Sequence, residues 1–241
     1  MFDSKLFFSA FKYSIPVLLG YLAIGTAFGL LMSNAGYPWA LALLMSLVMY
    51  AGSGQYIAVG LFASGAGLVE SVIIQFVVNA RHIAYGITMF KKFSAAGACK
   101  PYLIFALTDE TFALLSSGPP ADALNSGCGQ GGKRESVFFM LYVSALNHLY
   151  WIAGTLIGAF AGLFLPFNFE GVSFALSALF IVLMIEQIMR VKKVMPFAVS
   201  ALVTLLTAAM LPERVSLLSS LAVSLAVVQI LSVPKAAREK S

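Results

Sequence analysis

Long apolar stretches, separated by short polar, glycine-rich or proline-rich breaks, run along the whole chain. They define eight segments, and most reach the roughly 20 residues that an α-helix needs to cross a bilayer. The segments span residues 13–32, 39–62, 68–90, 101–117, 137–165, 172–189, 194–211 and 215–233. No apolar/polar alternation indicates strands. The pattern therefore predicts an all-α integral membrane protein of seven to eight hydrophobic helical segments.

The composition supports a membrane protein. Of 241 residues, 60% are hydrophobic and 10% charged, with a mean hydropathy of +0.92, against about 25% charged residues in ordinary soluble domains. Basic residues lie mostly at segment ends, so the net charge of +5 does not indicate nucleic-acid binding. The N-terminus runs from a short charged stretch directly into a full-length span, so we expect no cleaved signal peptide.

The orientation of the segments depends on the basic residues. Lys5 and Lys12 predict a cytoplasmic N-terminus, but eight alternating spans would then leave Lys91, Lys92 and Lys100 outside. Six crossings, with the second and fourth segments re-entrant or broken, place every basic loop inside. Eight full crossings with one misplaced lysine cluster are the alternative.

The longest polar stretch, residues 118–136, divides the chain into candidate halves, 1–117 and 137–233, of a single polytopic membrane domain. "GCGQGG" within it follows no strand and is interpreted as a flexible loop. "YLAIGTAFG" from Tyr21 is echoed by "YWIAGTLIG" from Tyr150. Such an echo is typical of the repeats in secondary transporters.

Three polar clusters interrupt the apolar segments. The first is "YAGSGQY", where Gly52, Ser53, Gly54 and Gln55 lie in the middle of the second segment. The glycines allow the backbone to leave the helix or another backbone to approach closely, and free amides at a half-helix N-terminus can hold a substrate carboxylate. Small-residue packing between helices is the alternative interpretation.

The second cluster, Asn79, Arg81 and His82, lies on the third segment. An arginine deep in a bilayer costs about 2.5–3.5 kcal/mol on insertion scales, so it usually faces a cavity or a partner. Snorkelling toward the cytoplasmic end is the alternative. Asn79 and His82 are three residues apart and share a helix face.

The third cluster is the acidic pair Asp109 and Glu110 in "LTDETFALL". Two adjacent carboxylates in a low-dielectric medium do not both ionise easily, so one can hold a proton. The pair is a candidate proton relay, a partner for Arg81 and a site for a substrate ammonium; a solvated surface turn is the alternative. Asn147 and His148 are expected to pack or form hydrogen bonds.

Other chemistries find little support in the sequence. Cys99 and Cys128 lie beside basic loops and predict no disulfide. With two histidines in the chain, no HExxH pattern and no Walker-type loop, we expect no metal, no cofactor and no enzymatic activity. A solute channel or a non-transporting scaffold subunit are the competing functions.

Taken in order, these motifs resemble the AzlC family of branched-chain amino acid exporters. The matching stretches are "GTAFG" from Gly25, "AGSGQYIAVGLFASGAG" from Ala51, "NARHIAYG" from Asn79, "TDETFALL" from Thr108 and "GTLIGA" from Gly154. Ser173 stands where the family pattern leads us to expect an aspartate.

The resemblance implies the large subunit of an exporter of branched-chain or other apolar amino acids. It also implies a small AzlD-type membrane partner and the cytoplasmic membrane of a bacterium or archaeon. Gly52, Ser53, Gly54, Gln55, Asn79 and Arg81 are the predicted substrate-binding residues, while Asp109, Glu110 and His82 are predicted to couple transport to protons.

Overall fold

The computed structural model describes residues 4–117, 132–164 and 195–210, with a few single residues between 181 and 227. These ranges are helical and contain no strand, which confirms the all-α prediction. The helices are α1 (Ser4–Asn34), α2 (Trp39–Val48), α3 (Ser53–Ser64), α4 (Leu68–Met89), a 3-10 segment (Lys92–Cys99), α5 (Lys100–Phe105), α6 (Asp109–Ser117), α7 (Gly132–Phe164) and α8 (Met195–Met210).

The chain forms two compact units, residues 1–172 and 173–241. In the second unit, α8 confirms the predicted seventh segment. Most of the predicted sixth and eighth segments lies outside the described residues, as do Ser173 and Cys128. In the first unit, α1 starts earlier than predicted, at Ser4, because its first turns bury Leu6 and Ala10.

Three helices of the first unit, α1, α4 and α7, are long and apolar enough to cross a membrane. The other helices of this unit are short. α2 and α3 have 10 and 12 residues, or about 15 and 18 Å of helix, against about 30 Å of hydrocarbon. The second predicted segment is therefore broken, as expected from its "AGSG" sequence.

The α2–α3 pair forms a hairpin that enters the first unit from one end and returns to the same end. The Trp39 ring at the start of α2 lies 5.5 Å from Phe160 near the end of α7. The Phe62 ring near the end of α3 lies 5.7 Å from Tyr37, just after α1. Both outer ends of this hairpin therefore lie beside the C-terminal ends of the long helices α1 and α7, and its bend points inward.

The α5–α6 pair is a second hairpin that enters from the opposite side. One apolar cluster joins the start of α1, the end of α4, the 3-10 segment, α5 with the bend after it, the end of α6 and the start of α7. Its buried members are Leu6, Ala10, Met89, Phe93, Ala96, Leu103, Leu107, Leu115, Val137, Phe139, Met140 and Val143. Lys92 also donates to the carbonyl oxygen of Leu115, near the end of α6. The fourth segment is thus re-entrant.

This cluster defines the basic end of the unit, where α1 and α7 begin and α4 finishes. Lys91, Lys92 and Lys100 therefore lie at the same end as Lys5. The arrangement with two re-entrant segments fits this geometry, whereas full crossings by the second and fourth segments do not.

Glycines allow α1 and α7 to pack backbone to backbone. A Cβ on Gly29 would overlap the carbonyl oxygen of Thr155, and a Cβ on Gly158 would overlap that of Thr26. A Cβ on Gly25 would come within 3.2 Å of the Gly154 Cα. These residues belong to the two echoed stretches, and the contacts are reciprocal. They also advance together along both helices, so α1 and α7 are parallel.

Candidate functional site

The bends of the two re-entrant hairpins meet at Arg81 of α4. Its Nη1 donates to Asp109 Oδ2 at 2.7 Å, and its Nη2 donates to Ser53 Oγ at 2.8 Å. Ser53 is the first residue of α3 and Asp109 is the first residue of α6. The arginine therefore joins the N-termini of two half-helices. These contacts explain why an otherwise apolar segment contains an arginine.

Asp109 is held from two sides. Besides the ion pair, the Tyr85 hydroxyl donates to its Oδ1 at 2.9 Å, and the Tyr85 ring stacks on Phe112 with centroids 4.4 Å apart. Both carboxylate oxygens thus accept hydrogen bonds. The side chains of Arg81 and Asp109 are 38% and 20% exposed, so a small molecule can reach the pair.

The bend between α2 and α3 requires unusual backbone geometry. Gly52 has φ +50° and ψ −104°, and Tyr50 has φ +40°. A positive φ is common for glycine but strained for a bulky residue. The Tyr50 ring is buried and lies 4.3 Å from the His148 ring, which holds the strained position.

Gly54 allows α3 and α4 to approach closely. A Cβ there would stand 2.9 Å from the Asn79 side chain. Asn79 in turn donates to the Gln75 side chain at 2.9 Å, and Gln75 donates to the Gly54 carbonyl at 2.8 Å. Gly52 turns the chain, as predicted, whereas the group that Gly54 admits is the Asn79 side chain and not another backbone.

Glu110 has a different partner from Asp109. Its Oε2 accepts a hydrogen bond of 2.7 Å from the buried hydroxyl of Tyr21 on α1. The same hydroxyl also contacts Thr108 Oγ1. The two neighbouring carboxyl groups therefore belong to separate hydrogen-bond systems.

A further polar network joins the α2–α3 hairpin to α7. The Gln55 amide donates to Ser46 Oγ at 3.2 Å, and Ser46 Oγ lies 2.9 Å from Thr155 Oγ1. His148 Nε2 lies 3.0 Å from the Ser46 carbonyl oxygen, so it donates there. Gln55 is fully buried in this network. The hydrogen-bonding role predicted for His148 is confirmed.

The structure therefore sorts the predicted site residues into groups. Ser53, Arg81 and Asp109 are in direct contact. Gly52, Gly54 and Asn79 shape the surrounding backbone, while Gln55 and Glu110 belong to the two neighbouring networks. His82 lies beside Tyr85, with ring centroids 6.1 Å apart.

Sequence reasoning missed Tyr21, Gln75, Tyr85 and Thr108. A polar group on a buried face of an apolar segment is the signal that points to such residues, but tyrosine and threonine also occur in ordinary packing. Within the described ranges, no group of three His, Cys, Asp or Glu side chains is placed to hold a metal ion.

Comparison with known proteins gives a consistent assignment. The family model described as "AzlC protein" matches residues 16–165, a range that contains all the site residues described above. No solved structure matches the chain.

Curated relatives match along most of their length. The branched-chain amino acid transport protein AzlC of Bacillus subtilis is 38% identical over 78% of this chain and 70% of its own length. An uncharacterized membrane protein of Helicobacter pylori strain J99 is 41% identical, covering 77% of both chains. The inner membrane protein YgaZ of Escherichia coli is 27% identical over 78% of this chain and 75% of its own. The chain is a multi-pass membrane protein that belongs to the AzlC family.

Proposed function

We propose that this protein is a secondary transporter that exports branched-chain or other apolar amino acids across the cytoplasmic membrane. The observation that carries the proposal is the accessible Arg81–Asp109 ion pair where two half-helices begin. Discontinuous helices that point their N-termini at a central site are typical of transporters for charged small molecules. The name of the Bacillus subtilis relative supports amino acids as the substrate class.

The ion pair suits a zwitterion. An amino acid carries a carboxylate and an ammonium group on one carbon, and it can insert between Arg81 and Asp109. Its carboxylate then binds Arg81, assisted by the partial positive charge at the start of α3, and its ammonium binds Asp109. Because each protein charge exchanges one partner for another, neither is left uncompensated in the membrane.

The energy source in this proposal is an ion gradient, since the sequence contains no Walker-type loop. Proton exchange drives export, and Asp109, Glu110 and His82 are the candidate groups for it near the site. Following the positive-inside rule, the basic end faces the cytoplasm. A small AzlD-type membrane subunit completes the transporter.

The two candidate halves, residues 1–117 and 137–233, are proposed to be parallel repeats within this transporter. The reciprocal packing of the echoed stretches around Gly25 and Gly154 supports this relation. The parallel direction of α1 and α7 also supports it, since parallel repeats are related by an axis along the membrane normal.

The test is efflux of radiolabelled leucine, valine and methionine from cells preloaded with dipeptides, with and without this chain and its small subunit. Arg81→Gln is compared with Arg134→Gln, a matched loss of charge at the start of α7. We expect saturable efflux that needs both subunits, fails in Arg81→Gln and persists in Arg134→Gln.

Two outcomes contradict the proposal. Non-saturable flux that survives Arg81→Gln indicates a channel. Absence of efflux from cells with both subunits in the membrane, together with loss of the small subunit in Arg81→Gln cells, indicates a scaffold.

A further inference from the structure

The adjacent carboxyl groups of Asp109 and Glu110 have unequal surroundings. Asp109 accepts from the Arg81 guanidinium and from Tyr85, so its charge is compensated. Glu110 accepts from the Tyr21 hydroxyl alone among the side-chain contacts of the described residues. Within the described ranges, no cation lies within salt-bridge distance of Glu110, and the nearby arginine is already paired with Asp109.

The Tyr21 hydroxyl has one hydrogen and two acceptors within reach, Glu110 Oε2 and Thr108 Oγ1. When Glu110 is ionised, the hydrogen points to the carboxylate. When Glu110 is protonated, it can donate to the Tyr21 oxygen, and the Tyr21 hydrogen then points to Thr108. The protonation state of Glu110 therefore decides which bond Tyr21 makes.

Thr108 links this change in the Tyr21 hydrogen bond to α6. Its hydroxyl lies 3.0 Å from Thr111 Oγ1 and accepts from the Thr111 amide at 3.3 Å, within the first turn of the helix. The Asn147 amide on α7 donates to the same Thr111 hydroxyl at 2.9 Å. Thus the hydroxyl chain that begins at Glu110 ends where α6, which carries Asp109, meets α7.

We infer that the two acidic residues divide the work of coupled transport: Glu110 carries the coupling proton, Asp109 serves as the partner of Arg81 and of substrate, and Tyr21 is the positioning residue that connects them. This division rests on the proposed transport function. Among the described residues, the charged and titratable groups close enough to Glu110 to interact with it are Tyr21 from α1, Tyr50 from the α2–α3 bend, Arg81 from α4 and its neighbour Asp109.

The test separates exchange from proton-driven transport. Membrane vesicles that contain the full chain and its small subunit are assayed for exchange of tritiated leucine against unlabelled leucine, which needs no net proton movement. The same vesicles are assayed for leucine movement driven by an imposed pH gradient. We expect Glu110→Gln to retain exchange and to lose the driven movement about tenfold or more, and Asp109→Asn to lose both.

Tyr21→Phe supplies the second variant, with Tyr150→Phe as its control. Tyr150 occupies the matching place in the echoed stretch and contacts Ser14 Oγ at 3.0 Å. Without the Tyr21 donor, an ionised Glu110 loses a hydrogen bond. We therefore expect driven movement to reach half-maximum at a pH higher by roughly one unit, with no shift in Tyr150→Phe.

Failure of this inference can be distinguished from failure of the proposed function. If Glu110→Gln keeps gradient-driven movement, or if Asp109→Asn loses driven movement while it keeps exchange, the division of work is wrong but transport stands. If Arg81→Gln exchanges leucine at the wild-type rate, the proposed substrate site itself is wrong. An unshifted pH profile in Tyr21→Phe overturns the role of Tyr21.

Discussion

At the scale of single residues, the main energetic question is how the membrane-embedded charge of Arg81 is compensated. A central arginine costs about 2.5–3.5 kcal/mol on insertion scales, and this one is compensated by a carboxylate at 2.7 Å and a hydroxyl at 2.8 Å. The two bonds use different ends of the guanidinium fork, which fixes its plane. The arginine is thus already oriented for the substrate carboxylate that we propose it binds.

Ser53→Ala should weaken this orientation without removing a charge. A hydrogen bond to a charged group contributes about 1.5–3 kcal/mol, and the exposure of Arg81 reduces that value. We predict a rise in KM for leucine exchange of up to about tenfold with a smaller change in maximal rate. Ser116→Ala, which removes an exposed hydroxyl on α6, is the control. Equal KM values for both variants would contradict the role of Ser53.

At the scale of elements, the hairpin bends determine where the site forms. The α2–α3 bend uses a positive φ at Gly52, and the two half-helices on either side are too short to cross the bilayer. Their N- and C-termini lie within the unit, where neighbouring side chains bind the backbone, as Gln75 does at the Gly54 carbonyl. Non-helical backbone at membrane depth requires such protein partners.

Gly52→Ala should disturb this bend. An L-residue at φ +50° costs about 1–3 kcal/mol, and any relaxation moves Ser53 away from Arg81. We predict a lower unfolding temperature in detergent and reduced leucine efflux. Gly60→Ala is the control, because Gly60 lies inside α3 with open space around its Cβ position. Equal losses in both variants would show that the positive φ is not the cause.

The close contact between α1 and α7 leads to a second prediction at this scale. At Gly158 an added Cβ meets a backbone carbonyl, which cannot move aside as a side chain can. Since overpacking costs about 1–3 kcal/mol or more, Gly158→Ala should greatly reduce the yield of monodisperse protein. Gly20→Ala on α1 has open space and should be neutral. Normal yield from Gly158→Ala would contradict the close approach of the helices.

The helical segments and the position of the site were predictable from the sequence because lipid imposes long apolar stretches. Polar residues such as Arg81 and Asp109 stand out against that background. Tyr21 and Tyr85 were not predictable as partners, because a tyrosine packs as readily as it donates. The break in the fourth segment was expected, but not its place before Asp109, since no glycine or proline marks it.

At the scale of the whole molecule, the described part of the first unit combines three long helices with two hairpins that enter from opposite ends. This arrangement places α4 antiparallel to α1 and gathers the basic residues at one end. With the basic end in the cytoplasm, this arrangement predicts which side of the membrane each loop faces.

The membrane side of each loop can be measured with single cysteines. Cys99 is exposed just before α5, and with Cys128→Ser it becomes a reporter. We predict that a membrane-impermeant maleimide labels Cys99 in inside-out vesicles only. In a Cys99→Ser, Cys128→Ser background, Ser64→Cys should be labelled from the opposite side. Eight full crossings from a cytoplasmic N-terminus would reverse both results.

The most direct test of the account asks what the Arg81–Asp109 pair recognises. Exchange of tritiated leucine is measured in vesicles with competing leucine, 4-methylpentanoate, which lacks the ammonium, or 3-methylbutylamine, which lacks the carboxylate. If the substrate inserts between the two charges, only leucine competes at comparable concentration, and Arg81→Gln abolishes exchange. Equal competition by the acid or the amine alone would contradict recognition of a zwitterion by this ion pair.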